Sequence, residues 1–246
     1  MKQRFYKTEW WKNTMTSLVG TVVGIVLTFG TTFYVEKKNK AEMAHQTVVI
    51  TLHNLDAKIK NLKESTAWMN HIDTLFQAVL EHTPTDLDKM NPDTLLAAYD
   101  GFIYLDIRLS ENVAESIFSN SIEVWEYMDD ERIIGRISNC YMVSNYCTET
   151  QKELQTERLA LFQEFLKTQK SIKRTPETAR TFFQRPEVQF YLSKHAALTE
   201  FISSYSMRIL TLMHNRNKKE LGIQQEELDA AGNLLNEEDY KELDEL

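Results

Sequence analysis

Glycine and proline are scarce in this chain, seven and four among 246 residues. A β-rich fold needs turn punctuation roughly every 8–12 residues. That scarcity excludes a sandwich or barrel and makes helix the default. Cysteine is rarer still, Cys140 and Cys147 alone, which excludes a disulfide scaffold and a cysteine-built zinc site. The six histidines, His45, His53, His71, His82, His195 and His214, include no H-E-x-x-H pair and no partner at helical ligand spacing. They read as solvated or capping groups, and neither a metal nor a cofactor is expected. His45 and His53 share a helix face but lie about 12 Å apart in rise, too far to chelate one ion. Beyond residue 40 only Gly101, Gly135, Gly222 and Gly232 remain, too dispersed for a phosphate cradle. Asp100, Asp106 and Glu111 are close only in sequence, and Asp129, Asp130 and Glu131 read as a helix start. No catalytic residue emerges, and the chain reads as a non-enzyme.

Basic excess is also missing. The net charge is −8 at pH 7, so no domain carries the positive surface of a nucleic-acid binder. The charge is unevenly spread. Residues 1–40 hold seven Lys/Arg against Glu9 and Glu36, and residues 223–246 hold nine acids against Lys241.

The longest stretch free of charge, residues 14–35, supplies what the composition otherwise withholds. Its 22 residues make about 33 Å of helix, enough to cross a bilayer. Trp10 and Trp11 precede it and Phe33 and Tyr34 end it, as interfacial anchors do. A cleaved signal peptide is the rival reading, but the first alanine in the chain is Ala41, so no small-residue cleavage site follows the apolar core. Thr16, Gly20, Gly24, Thr28 and Thr32 recur at i, i+4 along this stretch. Helices in lipid associate through small residues, so the stripe marks a contact face, toward another copy or another membrane protein. The bland alternative is that Gly and Thr are common in spans. Four Lys/Arg before the span against three just after lean to a cytoplasmic N-terminus. The expected location is a bacterial inner membrane, single-pass, with the C-terminal domain in the periplasm.

After the span a heptad-like seam runs His45, Val48, Leu52, Leu55, Ile59, Leu62, Thr66, Met69, Ile72 and Phe76, the pattern of a coiled coil or long bundle helix. No proline or glycine separates it from the span, so helix is expected to continue, with a kink allowed near "EKKNK". "EHTPTDLDKMNPD" is the clearest loop. Helical stretches follow at "PDTLLAAYDGFIYLDIRL" and "SENVAESIFSNSIEVWEYM". A long helix from "DDER" then begins at an Asp129 cap and carries the seam Ile133, Ile137, Cys140, Ser144, Cys147, Leu154, Leu161 and Phe165. Thr175-Pro176 and Pro186 restart helices. The last one shows the stripe Leu198, Phe201, Tyr205, Ile209, Leu212 and stops at Gly222. The fold expected is all-α: a single transmembrane helix continuing into a long-helix antiparallel bundle. Its parts are a basic flank 1–13, a span 14–35, a stalk 36–82, a bundle 83–222 and an acidic tail 223–246, with a short helix at 234–243.

The charged N-terminus, the Gly-containing span, the long polar helix, "SIFSNSIEVWEYMDDERIIGRISNCYMVSNY" and "FFQRPEVQFYLSKHAALTEFISSYSMRILTLM" resemble a family of uncharacterised single-span membrane proteins from Bacteroidota. The likeness covers most of the chain. It departs where the family has a small glycine-bearing turn before the acidic run and this sequence reads "WEYMDDER". The resemblance implies a helical architecture and no activity.

Two clusters invite chemistry. Cys140 and Cys147 lie seven apart, about 10.5 Å along one helix, beyond the 4.4–6.8 Å or so that a disulfide spans. They read as seam residues, with a crosslink between chains as the residual alternative. Lys167, Lys170, Lys173, Arg174, Arg180 and Arg185 crowd one short segment with Glu177 the one acid. They form either a solvated surface or a contact for anionic headgroups or the acidic tail. The terminal "LDEL" reads as a chance match to a retrieval signal. The functional expectation is a membrane-anchored interaction or scaffold protein with the lipid bilayer as its first partner, self-associating or bound to another membrane protein. The alternative is a ligand-sensing bundle, for which Tyr104, Arg108, Trp125 and Tyr141 are the candidate pocket residues.

Overall fold

The computed structural model describes residues 3–83, 86–103, 113–120, 125, 130–169 and 173–232. Backbone alone is described over most of 3–33 and at 113, 114 and 117. The described residues are helical, with no strand among them, so the all-α expectation holds. The chain divides into two units, Met1–Val48 with Ser121–Asp129, and Val49–Asn120 with Asp130–Leu246.

The first unit is carried by the opening of α1 (Gln3–His82), which continues through "EKKNK" without interruption. Ala44, Val48 and Trp125 are buried, whereas Tyr34, Val35 and Met43 are exposed. Among the described residues no helix is long and apolar enough to cross a membrane. The expected span keeps helical backbone, but of its side chains only those of Thr21, Thr32, Tyr34 and Val35 are described. Thr16, Gly20, Gly24 and Thr28, with Trp10, Trp11 and Phe33, therefore have side-chain positions outside the described set.

In the second unit the heptad seam of α1 does what its spacing implies. Leu52, Leu55, Ile59, Leu62, Thr66, Met69, Ile72 and Phe76 are all buried. After His82 the chain turns through a 3₁₀ segment at Leu87–Lys89, burying Leu87 and Met90. The Asn91 side chain then accepts from the amides of Asp93 at 2.8 Å and Thr94 at 3.3 Å, capping α2 (Pro92–Ile103). A Cβ at Gly101 would lie 2.7 Å from Ile72 Cδ1, so this glycine lets α2 settle closely on α1. α3 (Val113–Asn120) is short.

α4 (Glu131–Thr168) is capped by Asp130, whose carboxylate accepts from the Arg132 amide at 2.9 Å. The cap falls one residue beyond the Asp129 expected, which itself lies outside the described residues. The α4 seam is buried as its periodicity implies, except that Leu161 is half-buried. Thr175 caps α5 (Pro176–Phe183), and Pro186 opens α6 (Pro186–Phe201). Around Phe102 and Phe182, rings from α1, α2, α4, α5 and α6 pack edge to face, with Phe102–Phe182 centroids 4.7 Å apart. Such tilted contacts match the quadrupoles of the rings, which belong to the buried apolar core of the bundle.

α6 runs without a break into a π-helical turn, Ile202–Ser206, and then α7 (Met207–Leu221). Gly222 ends it at φ 68°, a left-handed conformation that a β-carbon would strain. The tail is not wholly a tail: α8 (Gln225–Gly232) follows, with Ile223 and Leu228 buried. The helix expected at 234–243 lies outside the described residues.

One stripe is turned the wrong way round. Phe201, Tyr205 and Leu212, expected to face the bundle, are 42%, 58% and 69% exposed, and Leu198 and Ile209 are half-buried. The inward stripe is His195, Thr199, Ile202, Ser206, Leu210, His214 and Asn217. Polar residues sit inside because α1 and α4 offer them partners, and periodicity of hydrophobicity cannot register a partner.

Candidate functional site

The inward polar residues of α6 and α7 meet α1 at two places. His195 is fully buried and its Nδ1 donates to Asp73 Oδ1 at 2.5 Å. His214 is 2% exposed and its Nε2 donates to Asp56 Oδ1 at 3.0 Å. As α1 advances from 56 to 73, the partner helix retreats from 214 to 195, the register of antiparallel packing. Seventeen residues of helix put the two pairs about 25 Å apart. These two histidines are therefore not solvated or capping groups, as expected, but cross-links between helices distant in sequence, whereas His45 and His71 are exposed and His82 bonds the Ala78 carbonyl of its own helix end. A signal for them existed: each aspartate adjoins the apolar seam of α1, Asp56 after Leu55 and Asp73 after Ile72.

The two pairs differ in what completes them. Lys218, one turn beyond His214, places Nζ 3.2 Å from Asp56 Oδ1 and 3.2 Å from Gln225 Oε1. Burial raises Asp56, but hydrogen bonds from Lys218 and His214 outweigh it and hold the carboxyl below its usual value. Burial pushes the imidazole of His214 down, against the opposing pull of Asp56. A neutral ring that donates from Nε2 leaves Nδ1 bare, and that atom is buried without a partner. At the other pair Nε2 of His195 is buried without a partner, beside the edge of Phe76 at a 5.3 Å centroid distance. Thr199, one turn beyond His195, has its hydroxyl 3.5 Å from Nδ1. No lysine or arginine among the described residues pairs with Asp73.

Asp73 also lines an open groove of about 490 Å³ between α1 and α6. Asn70, Gln77 and Leu80 complete the α1 wall. Ser193, Ala196, Ala197 and Glu200 from α6, with Ser203 from the π turn, form the other. Small side chains on α6 leave the space, and Asp73 and Glu200 are its charged groups.

A second surface feature lies where α4 meets the π turn. Tyr146, Phe201 and Tyr205 touch ring to ring, at 6.0 and 5.4 Å between centroids, while remaining exposed. Met142 lies one turn from Tyr146 and Leu212 two turns from Tyr205, both exposed.

The other expected residues distribute as follows. Tyr104 and Arg108 lie outside the described residues, and Trp125 and Tyr141 fall in different units. Tyr141 is buried and its hydroxyl donates to the Thr51 carbonyl at 3.5 Å. Beside it Lys58, lowered in pKa by burial, donates to Asn145 Oδ1 at 2.5 Å, and Asn145 donates to Glu115 at 2.7 Å. Cys140 and Cys147 are free and fully buried. Burial pushes the Cys140 thiol up to about 12 and raises Cys147 as well. Neither is an accessible thiolate, so a crosslink between chains has no footing in this geometry.

The basic cluster is largely engaged within the chain. Arg174 Nε donates to Asp100 Oδ1 at 2.8 Å, Arg180 lies 3.3 Å from Asp88, and Arg185 Nε donates to Glu187 at 2.6 Å. Lys170 lies outside the described residues, which leaves Lys167 and Lys173 as exposed ammonium groups. No group of three His, Cys, Asp or Glu among the described residues is placed to hold a metal. Comparison with known proteins finds no matching family model, no similar curated protein and no matching solved structure.

Proposed function

We propose that the chain is a membrane-anchored helical interaction protein that associates with copies of itself through its span, its stalk and the aromatic face of α4, α6 and α7. The observation that carries this reading is the inverted helix. Besides Val188, Tyr191, Leu192, Ile202, Met207 and Leu210, the buried positions of α6, the π turn and α7 hold His195, Thr199, Ser206, His214 and Asn217, while Phe201, Tyr205 and Leu212 face outward. Contiguous exposed rings of this kind mark contact surfaces more often than solvent-facing ones. Five large side chains about half exposed, at about 200 Å² each, present on the order of 500 Å². That suits the centre of an interface burying about 800 Å² per partner.

The membrane part rests on sequence: 22 uncharged residues flanked by aromatic residues, with small residues at i, i+4. On this reading the C-terminal domain stands outside the cytoplasm, the side toward which four Lys/Arg before the span against three just after it lean. Crosslinking of the full chain in native membranes tests both surfaces. Wild type is expected to give a dimer or higher band. Gly20→Ile with Gly24→Ile weakens it, and Phe201→Glu with Tyr205→Glu weakens it independently. Identical monomer from all three proteins would remove self-association. Alkaline extraction that releases the wild-type chain would remove the anchor.

A further inference from the structure

The groove between α1 and α6 has a size ordinary for a small-molecule site, about 490 Å³. Its two ionisable lining groups, Asp73 and Glu200, are both carboxylates, and the remaining polar ones are neutral amides and hydroxyls. The lysine nearest along α6, Lys194, is held by Glu157 at 2.6 Å. What the groove lacks is shown by the same bundle at its other His–Asp pair. There Oδ1 of the carboxylate accepts from both the His214 imidazole and the Lys218 ammonium, and a side-chain amide oxygen, Gln225 Oε1, also accepts from that ammonium. Asp73 has the histidine, the groove has the amides of Asn70 and Gln77, and among the described residues no ammonium joins them.

From this internal comparison we propose that the groove binds a small organic ammonium ligand, its cationic nitrogen on Asp73 and its far end toward Glu200. The chemistry follows from the donor inventory. His195 Nδ1–H takes up Oδ1 of Asp73, leaving Oδ2 and the second lone pair of Oδ1 to accept from an alkylammonium. The Asp73 side chain is only 14% exposed, so its charge is less screened than a surface carboxylate's. The buried imidazole also fixes the carboxylate's direction, which reduces what a ligand must order on binding. Ala196, Ala197 and Leu80 give the carbon chain of such a ligand a short apolar bed. A bare metal ion fits less well: among the described residues no group of three His, Cys, Asp or Glu is placed to hold one, and Nδ1 of His195 is already engaged by Asp73. The inference does not rest on self-association and stands or falls separately.

Isothermal titration calorimetry on the full chain in detergent micelles, at about 0.15 M salt, tests it with putrescine against 1,4-butanediol, which has the same length and no charge. Saturable binding of putrescine and none of butanediol is expected. Glu200→Gln, an exposed position that keeps the fold, should weaken binding about tenfold. Ala197→Trp, which fills the groove from its exposed edge, should abolish it at an unchanged melting temperature. Asp73→Asn should abolish it too, read only if circular dichroism shows the helices intact. Glu226→Gln, an exposed acid on α8, should leave it unchanged. No saturable heat from wild type, equal binding of butanediol, or an equal loss from Glu226→Gln would overturn the proposal.

Discussion

Asp56–His214 and Asp73–His195 are the same device built twice along one helix pair, and they differ in completion. At Asp56 the chain brings its own ammonium, Lys218, so Oδ1 of the carboxylate accepts from two donors. At Asp73, among the described residues, the histidine arrives without a lysine or arginine, and the carboxylate borders an open groove. The lesson is that an antiparallel helix pair can carry, on one register, a carboxylate that its own chain completes with a lysine and one that it leaves beside a groove. A single i+4 position, Lys218 in one case and Thr199 in the other, separates them.

The largest break in this comparison comes from truncating the imidazoles. His195→Ala should cost about 3 kcal/mol, because it empties a filled core position and strips Asp73 of its hydrogen-bonding partner. His214→Ala should cost roughly half of that, since Lys218 still holds Asp56. Urea unfolding of the two variants reads the difference, and equal losses would show that Lys218 does not compensate.

A smaller effect is expected with pH. Burial keeps His214 below its unfolded value of about 6.5. The unfolded chain therefore takes up the proton first, and stability falls as pH drops from about 6.5 toward the folded value. Asp56 is held below its usual carboxyl value, so its contribution is present above about 4 and is lost as pH falls through the folded value. Unfolding measured from pH 7 to pH 3 should show both declines, and His214→Gln should erase the upper one. An unchanged upper decline in that variant would place its source elsewhere.

The smallest expected effect sharpens the comparison most. Lys218→Met should cost about 1 kcal/mol or less, because Asp56 is partly solvated. It should also leave Asp56 without its ammonium, so that millimolar ethylamine restores part of the lost melting temperature in the variant and adds little to wild type at this pair. No differential response would mean that the two sites are not chemically alike.

Most of the fold was legible in the sequence, for identifiable reasons. The seams of α1 and α4 are apolar and regular, so period alone placed them, and Thr175, Pro176, Pro186 and Gly222 announce ends through chemistry local to each. The two-faced helix was not legible. Its outer stripe, Phe201, Tyr205 and Leu212, is apolar while its inner face mixes Leu192, Ile202 and Leu210 with His195, Thr199, His214 and Asn217, so hydrophobic period alone does not pick the inner face. What turns it is specific pairing: Asp73 and Asp56 from α1, and from α4 Arg136, whose Nε donates to Asn217 at 2.8 Å. Those partners lie 81 to 158 residues away, beyond any local pattern. The buried Asp–His pairs and the groove beside one of them were hidden for the same reason. The basic cluster was visible as composition, yet its arginines are mostly matched to acids whose positions only the folded chain brings near.

The central claim is that α6 and α7 turn their histidines inward onto α1. Long-range proton–nitrogen spectra of the full chain labelled with ¹⁵N-histidine read it most directly. The account predicts two slowly exchanging imidazole protons, one on Nδ1 and one on Nε2, the first lost in His195→Gln and the second in His214→Gln. Six histidines with rapidly exchanging ring protons, or both slow protons on the same type of nitrogen, would contradict it.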